Sequence, residues 1–90
     1  MQKNIILSHL VGHAKQLAIS LFEEVPEITA DTHFADIGMS SCDRAAIAAD
    51  TLKSLSVRVP LVDILTASTL QEMVELIYVG ALSPENRLAG

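Results

Sequence analysis

The chain has 90 residues and a formal charge of −5, so it holds one domain at most and is poorly suited to the phosphate backbone of nucleic acid, which rewards clustered Lys and Arg. Half of the residues are apolar but only three are aromatic, which points to a core of Leu, Ile, Val and Ala. A single cysteine excludes an internal disulfide framework and fits a reducing compartment.

From Met1 to His9 there is no long apolar run followed by a small-residue cleavage site, and no stretch has the length of a membrane span. The expectation is a cytoplasmic, soluble and monomeric protein that contacts neither membrane nor nucleic acid. Between Lys3 and Phe22, Leu7, Leu10, Val11, Ala14, Leu17, Ala18 and Leu21 recur at three- and four-residue steps, the spacing of an amphipathic helix. Pro26 marks its end or lies just beyond it. From Val25 to Ser40 no period holds, and a long ordered loop is expected. Loops of this length in small domains are often functional. Glu23, Glu24, Glu27, Asp31 and Asp36 gather here with no Lys or Arg among them, either as a solvated loop or as a patch that steers a basic partner.

A second helix fits Ser41 to Leu55, rich in alanine and with Ser40 or Ser41 as its N-cap. Ser56 to Pro60 reads as extended, because the residue before a proline is pushed out of helical geometry. Leu61 to Leu65 has room for one short helix. The last helix is expected from about Thr69 to Tyr78, with Ser68 and Gln71, or Thr69 and Glu72, as a capping box. The fold class is therefore all-α: a small four-helix bundle of three longer helices and one short one, with a long loop between the first two. Residues 1–80 form the domain and 81–90 a flexible tail. Leu17, Leu21, Ile47, Leu55, Leu65, Val74 and Ile77 are expected to share the core.

Three groups of residues are candidates for chemistry. Ser40 and Ser41 follow Gly38 at a helix start, where unpaired amides and the helix dipole favour a phosphate ester. Capping serines are common, however, and local sequence alone favours plain capping for both. Cys42 at a helix start is a candidate nucleophile, but a catalytic thiol needs a base, and His9, His13 and His33 are remote in sequence, which favours a half-buried apolar role. His9 and His13 share a helix face, yet no third ligand stands at a matching offset, so no metal site is expected.

The run "DTHFADIGMSSCDRAAIAADTLKSLSVRVPLVDILTASTLQEMVELI" resembles the acyl and peptidyl carrier proteins of polyketide, nonribosomal peptide and fatty acid synthesis. That family places an Asp, an apolar residue and a Leu-Gly pair before Asp-Ser-Leu or His-Ser-Leu. Asp31, Phe34, Ile37 and Gly38 stand at those places, and the register continues through Ile47, Leu55, Val57, Val59, Pro60, Leu61, Ile64, Leu65, Thr69 and Leu70. The likeness covers about residues 3 to 79. Ser40 stands where Asp or His is usual, and Cys42 where Leu is usual.

The resemblance implies that 4'-phosphopantetheine, taken from coenzyme A by a phosphopantetheinyl transferase, is joined to Ser41. It also implies a non-catalytic carrier whose arm holds acyl, aminoacyl or peptidyl groups as thioesters. The implied partners are an acyl- or aminoacyl-loading enzyme, a ketosynthase or condensation enzyme, and a thioesterase or other tailoring enzyme. Met39, Ser40, Cys42, Arg44, Ala45 and Ala46 would meet them around the root of the arm. In the second helix Asp43 and Asp50 are balanced by Arg44 and Lys53, which points to secondary-metabolite assembly, such as antibiotic biosynthesis, over a fatty-acid-type carrier. An unmodified helical interaction module of the same fold and a small thiol enzyme using Cys42 are the other readings. Met1 and the short length favour a discrete protein over a domain cut from a megasynthase.

Overall fold

The structure, a computed structural model, describes residues 2 to 84 and residue 86. Among the described residues, four helices follow in chain order: α1 Lys3–Leu21, α2 Ser41–Leu55, α3 Leu61–Ile64 and α4 Leu70–Ala81. α1 packs against both α2 and α4, and the short α3 bridges α2 to α4. This is the small all-α bundle with one long loop that the hydrophobic periods predict.

The buried stripe of α1 advances in steps of four through Ile6, Leu10, Ala14 and Ala18. Its two alanines carry little bulk, so neighbouring helices can approach closely. Ile47, Ala48, Thr51 and Leu52 of α2 and Leu70, Met73, Val74 and Ile77 of α4 complete the interior. Thr51 is fully buried, and its hydroxyl is satisfied by donating to the Ile47 carbonyl at 2.8 Å. Lys3 and Glu75 join α1 to α4 in an exposed ion pair of 2.9 Å, with the Lys3 ammonium 5.0 Å from the Tyr78 ring centre. Their hydrogen bond holds Lys3 above the usual lysine range and Glu75 below the usual carboxylate range.

Of the expected core residues, Ile47, Val74 and Ile77 are buried, and Leu17 and Leu55 pack on its edge. Two expectations are corrected. Leu21 is 47% exposed, because the chain leaves α1 there and Phe22 turns back onto the core in its place. Leu65 is only half-buried, because a helix as short as α3 turns one main side chain inward, and that is Ile64. α4 also runs three residues past Tyr78. Gly80 lies in this last turn.

That glycine is a point of close approach. A Cβ at Gly80 would lie 2.6 Å from Cγ2 and 2.8 Å from Cγ1 of Val59, in the segment between α2 and α3. Asn86 holds the same segment: its Oδ1 accepts from the Arg58 amide at 2.7 Å, and its Nδ2 lies 2.9 Å from the Arg58 carbonyl and 3.0 Å from that of Gly80. Of the expected tail 81–90, Ala81 thus belongs to α4 and Asn86 is bonded to the bundle, while residues 85 and 87–90 lie outside the described residues. At the start of this segment Ser56 adopts φ 55°, with its own amide and that of Val57 closing the end of α2 onto the Leu52 carbonyl.

These two backbone positions predict opposite effects. Ser56→Gly removes the steric cost of a left-handed non-glycine residue and should stabilise by about 1 kcal/mol. Gly80→Ala gains about 1 kcal/mol of helix propensity but must displace Val59, a stiff β-branched side chain held at the core, and should destabilise by about 1–3 kcal/mol. Urea melts of both variants check this, and a more stable Gly80→Ala would show that Val59 is free to move.

Candidate functional site

The site is the junction of the long loop and α2. The loop is ordered by what it caps. The first amides of a helix have no partner within it. In α4 the Leu70 amide donates to the Thr32 carbonyl at 3.3 Å, the Gln71 amide to the Ala30 carbonyl at 2.8 Å, and the Glu72 amide to Thr69 Oγ1 at 3.1 Å. An isolated antiparallel bridge joins His33 to Thr69, and the Phe34 amide donates to the Ser68 carbonyl at 3.0 Å. Thr69 is thus the cap of the expected pair with Glu72. The Glu72 carboxylate reaches back one residue further than a capping box does, accepting from the Ser68 amide at 3.0 Å.

Ile28, Phe34 and Met39 drive the loop into the core at 5%, 1% and 5% exposure. Between the last two the chain closes a turn, with the Met39 amide donating to the Phe34 carbonyl at 3.0 Å. Gly38 takes φ 77° in that turn and sits over the Phe22 ring, which a Cβ there would approach to 3.5 Å. The acidic residues Glu23, Glu24, Glu27, Asp31 and Asp36 are all exposed to solvent.

The two serines have different work. Ser40 is the N-cap of α2. Its Oγ accepts from the Asp43 amide at 3.2 Å, its amide donates to Asp43 Oδ2 at 2.8 Å, and its hydroxyl lies 3.0 Å from the same oxygen. This is a reciprocal capping box closed by Asp rather than Glu. Ser41, the first residue of α2, is exposed and outside the cap. Its Oγ accepts from Arg44 Nη2 at 3.0 Å, while Arg44 Nη1 donates to the Ala67 carbonyl at 3.1 Å. Local sequence left both serines as caps, and the three-dimensional bonding gives the cap to Ser40 alone.

The remaining site residues divide by burial. Cys42 and Ala46 are exposed, Ala45 and Arg44 half-buried. Met39, expected on the rim where partners touch, is instead a core residue, because the turn that begins at Phe34 directs it inward. No histidine bonds Cys42 among the described residues: His13 on α1 pairs with Ser54 at 2.8 Å, and His33 lies in the bridge to α4. Among the described residues no three His, Cys, Asp or Glu side chains gather as a metal site. No helix among them is long and apolar enough to cross a membrane. Sequence reasoning missed the Arg44–Ala67 link. The i, i+3 spacing of Ser41 and Arg44 was a signal for the first half of it, but nothing local points to Ala67.

The sequence model of the family described as "Phosphopantetheine attachment site" matches residues 14–77, more than half of the chain. No curated protein and no solved structure matched it. The chain belongs to the phosphopantetheine attachment-site family, whose domains carry covalently bound 4'-phosphopantetheine and serve as carriers. Such domains work with a phosphopantetheinyl transferase and with synthase enzymes in general, and are as a rule not catalytic themselves.

Ser40→Ala removes the capping box and should destabilise the domain by about 1 kcal/mol. Ser41→Ala removes one exposed hydrogen bond and should change stability by less than about 0.5 kcal/mol. Thermal melts of the two variants, followed by circular dichroism, check the assignment of the cap.

Proposed function

We propose that Ser41 is the attachment residue and that the protein is a non-catalytic carrier of acyl, aminoacyl or peptidyl thioesters. One observation carries this reading. Of the two adjacent hydroxyls, Ser40 is occupied by the capping box, while Ser41 is exposed at the first residue of α2 and held in a fixed direction by Arg44. The Asp43 and Arg44 amides are bonded to Ser40, and among the described residues the Ser41 and Cys42 amides meet no acceptor. They are therefore free to face the negative charge of a phosphodiester, in the favourable field of the helix start. When bound, the group supplies a flexible arm ending in a thiol that carries the cargo as a thioester. The protein's own part is to hold the arm's root and to raise the effective concentration of the cargo at each partner enzyme.

The chemistry around Ser41 supports a secondary-metabolite assembly line over bulk fatty acid synthesis. Along α2, Asp43 and Asp50 are offset by Arg44 and Lys53, so a partner would meet Cys42, Ala45 and Ala46 on a nearly neutral surface. Loading, elongating and releasing enzymes are its partners in this reading, and a cytoplasmic setting fits the free, exposed thiol of Cys42.

Attachment is tested with coenzyme A, a broad-specificity phosphopantetheinyl transferase and intact-mass measurement. The wild type and Ser40→Ala should gain one phosphopantetheine and Ser41→Ala none. Peptide mapping of the arm to Ser40 would overturn the assignment. Docking is tested by Ala45→Glu, which should slow acyl transfer by more than about fivefold, the equivalent of a hot spot above about 1 kcal/mol, while leaving the helical circular dichroism unchanged. An unaltered transfer rate places the docking face elsewhere. Met39 does not serve for this test, since a charge there would enter the core.

A further inference from the structure

We propose that Arg44 is a positioning residue that clamps the phosphodiester of the arm and ties it to the Ala67 carbonyl, so that the arm leaves Ser41 with its root fixed to the corner between α3 and α4. The inference rests on Ser41 as the attachment residue. The geometry is already in place without the arm. The Arg44 guanidinium spans from Ser41 Oγ at 3.0 Å to the Ala67 carbonyl oxygen at 3.1 Å, and the second of these bonds is partly buried. A guanidinium has five N–H donors in a rigid fork, and these two bonds leave donors over.

Once Ser41 is esterified, Oγ becomes a weak bridging acceptor, and the negative charge lies on the non-bridging oxygens one bond further out. An N–H already in contact with Oγ reaches one of them by a small change in the side chain. The resulting bond is charge-assisted and joins opposite charges. Among the described residues Asp43 forms no ion pair with Arg44, and its Oδ2 is bonded instead to the amide and hydroxyl of Ser40.

The alternative is that Arg44 only staples α2 to the segment before α4. The two roles separate when forms with and without the arm are compared. A staple acts equally in both forms, and a clamp acts mainly when the diester is present. Lysine keeps the charge but not the fork, so Arg44→Lys should preserve contact with the diester and weaken the link to Ala67.

The wild type, Arg44→Gln and Arg44→Lys are loaded with phosphopantetheine, and the arm is mapped first. An arm on another residue overturns both this inference and the attachment on which it rests. With the arm on Ser41, phosphorus NMR of each folded protein is compared with the same loaded protein unfolded in urea. The wild-type signal should be displaced from its unfolded position, Arg44→Gln should lose that displacement, and Arg44→Lys should recover part of it. Loading should also raise the Tm of the wild type more than that of Arg44→Gln. If Arg44→Gln does not fold, the wild type alone decides, because loading should shift the Arg44 Nε–H and Ser68 amide resonances. A phosphorus signal unchanged by either substitution, an equal Tm loss with and without the arm, or unmoved Arg44 and Ser68 resonances overturns the clamp alone.

Discussion

The structure depends on one interaction, the docking of the long loop onto the start of α4. Helix starts need acceptors for their amides, and α4 obtains two of them from the backbone of the loop, at Ala30 and Thr32. The two needs are met together. α4 gains a cap it does not encode in its own side chains beyond Thr69, and the loop gains a fixed course despite having no regular structure. Phe34 and Met39 then bury the returning chain, so α2 begins at a defined place. The position of Ser41 follows from that course.

At the site itself, small differences in bonding separate chemically identical groups. Ser40 and Ser41 carry the same hydroxyl one residue apart. Ser40 stands where the carrier family usually has Asp or His, and here it takes the capping task, closed by Asp43. That leaves Ser41 outside the backbone network and open to solvent, with Arg44 as its described side-chain partner. The exposed Cys42 beside it gives a smaller apolar contact than the usual Leu, and α2 beyond is close to neutral. The exposed acidic residues Glu23, Glu24, Glu27, Asp31 and Asp36 lie in the loop.

The far end of the bundle is fixed by different means. Val59 packs against the space left by Gly80, and the Asn86 side chain bonds both backbone groups of Arg58, much as a neighbouring strand would. The segment between α2 and α3 is thereby held without a helix or sheet of its own. Together with the Arg44–Ala67 bond, this gives α3 and its flanks firm attachment on both sides, although α3 is a single turn.

The sequence by itself determined the helices and much of their order. The three- and four-residue apolar steps, the alanine-rich run from Ser41 and Thr69 as a helix cap are local signals, and local geometry obeyed them: α2 begins and ends where its residues predict. The likeness around Gly38 and Ser41 was legible too, because it is a matter of residue order. Tertiary structure decided what depends on contacts distant in the chain. Leu21 and Phe22 differ little in apolar character, and only the path of the loop selects Phe22 for the core. Met39 follows a glycine and precedes a polar helix start, so nothing nearby marks it as buried. Gly80 reads as a helix ending until Val59 is placed against it. The separate tasks of Ser40 and Ser41 required the Asp43 carboxylate and the Arg44 guanidinium to be located in space, since hydrogen bonding selects among equivalent groups by distance and direction, which a residue pattern does not contain.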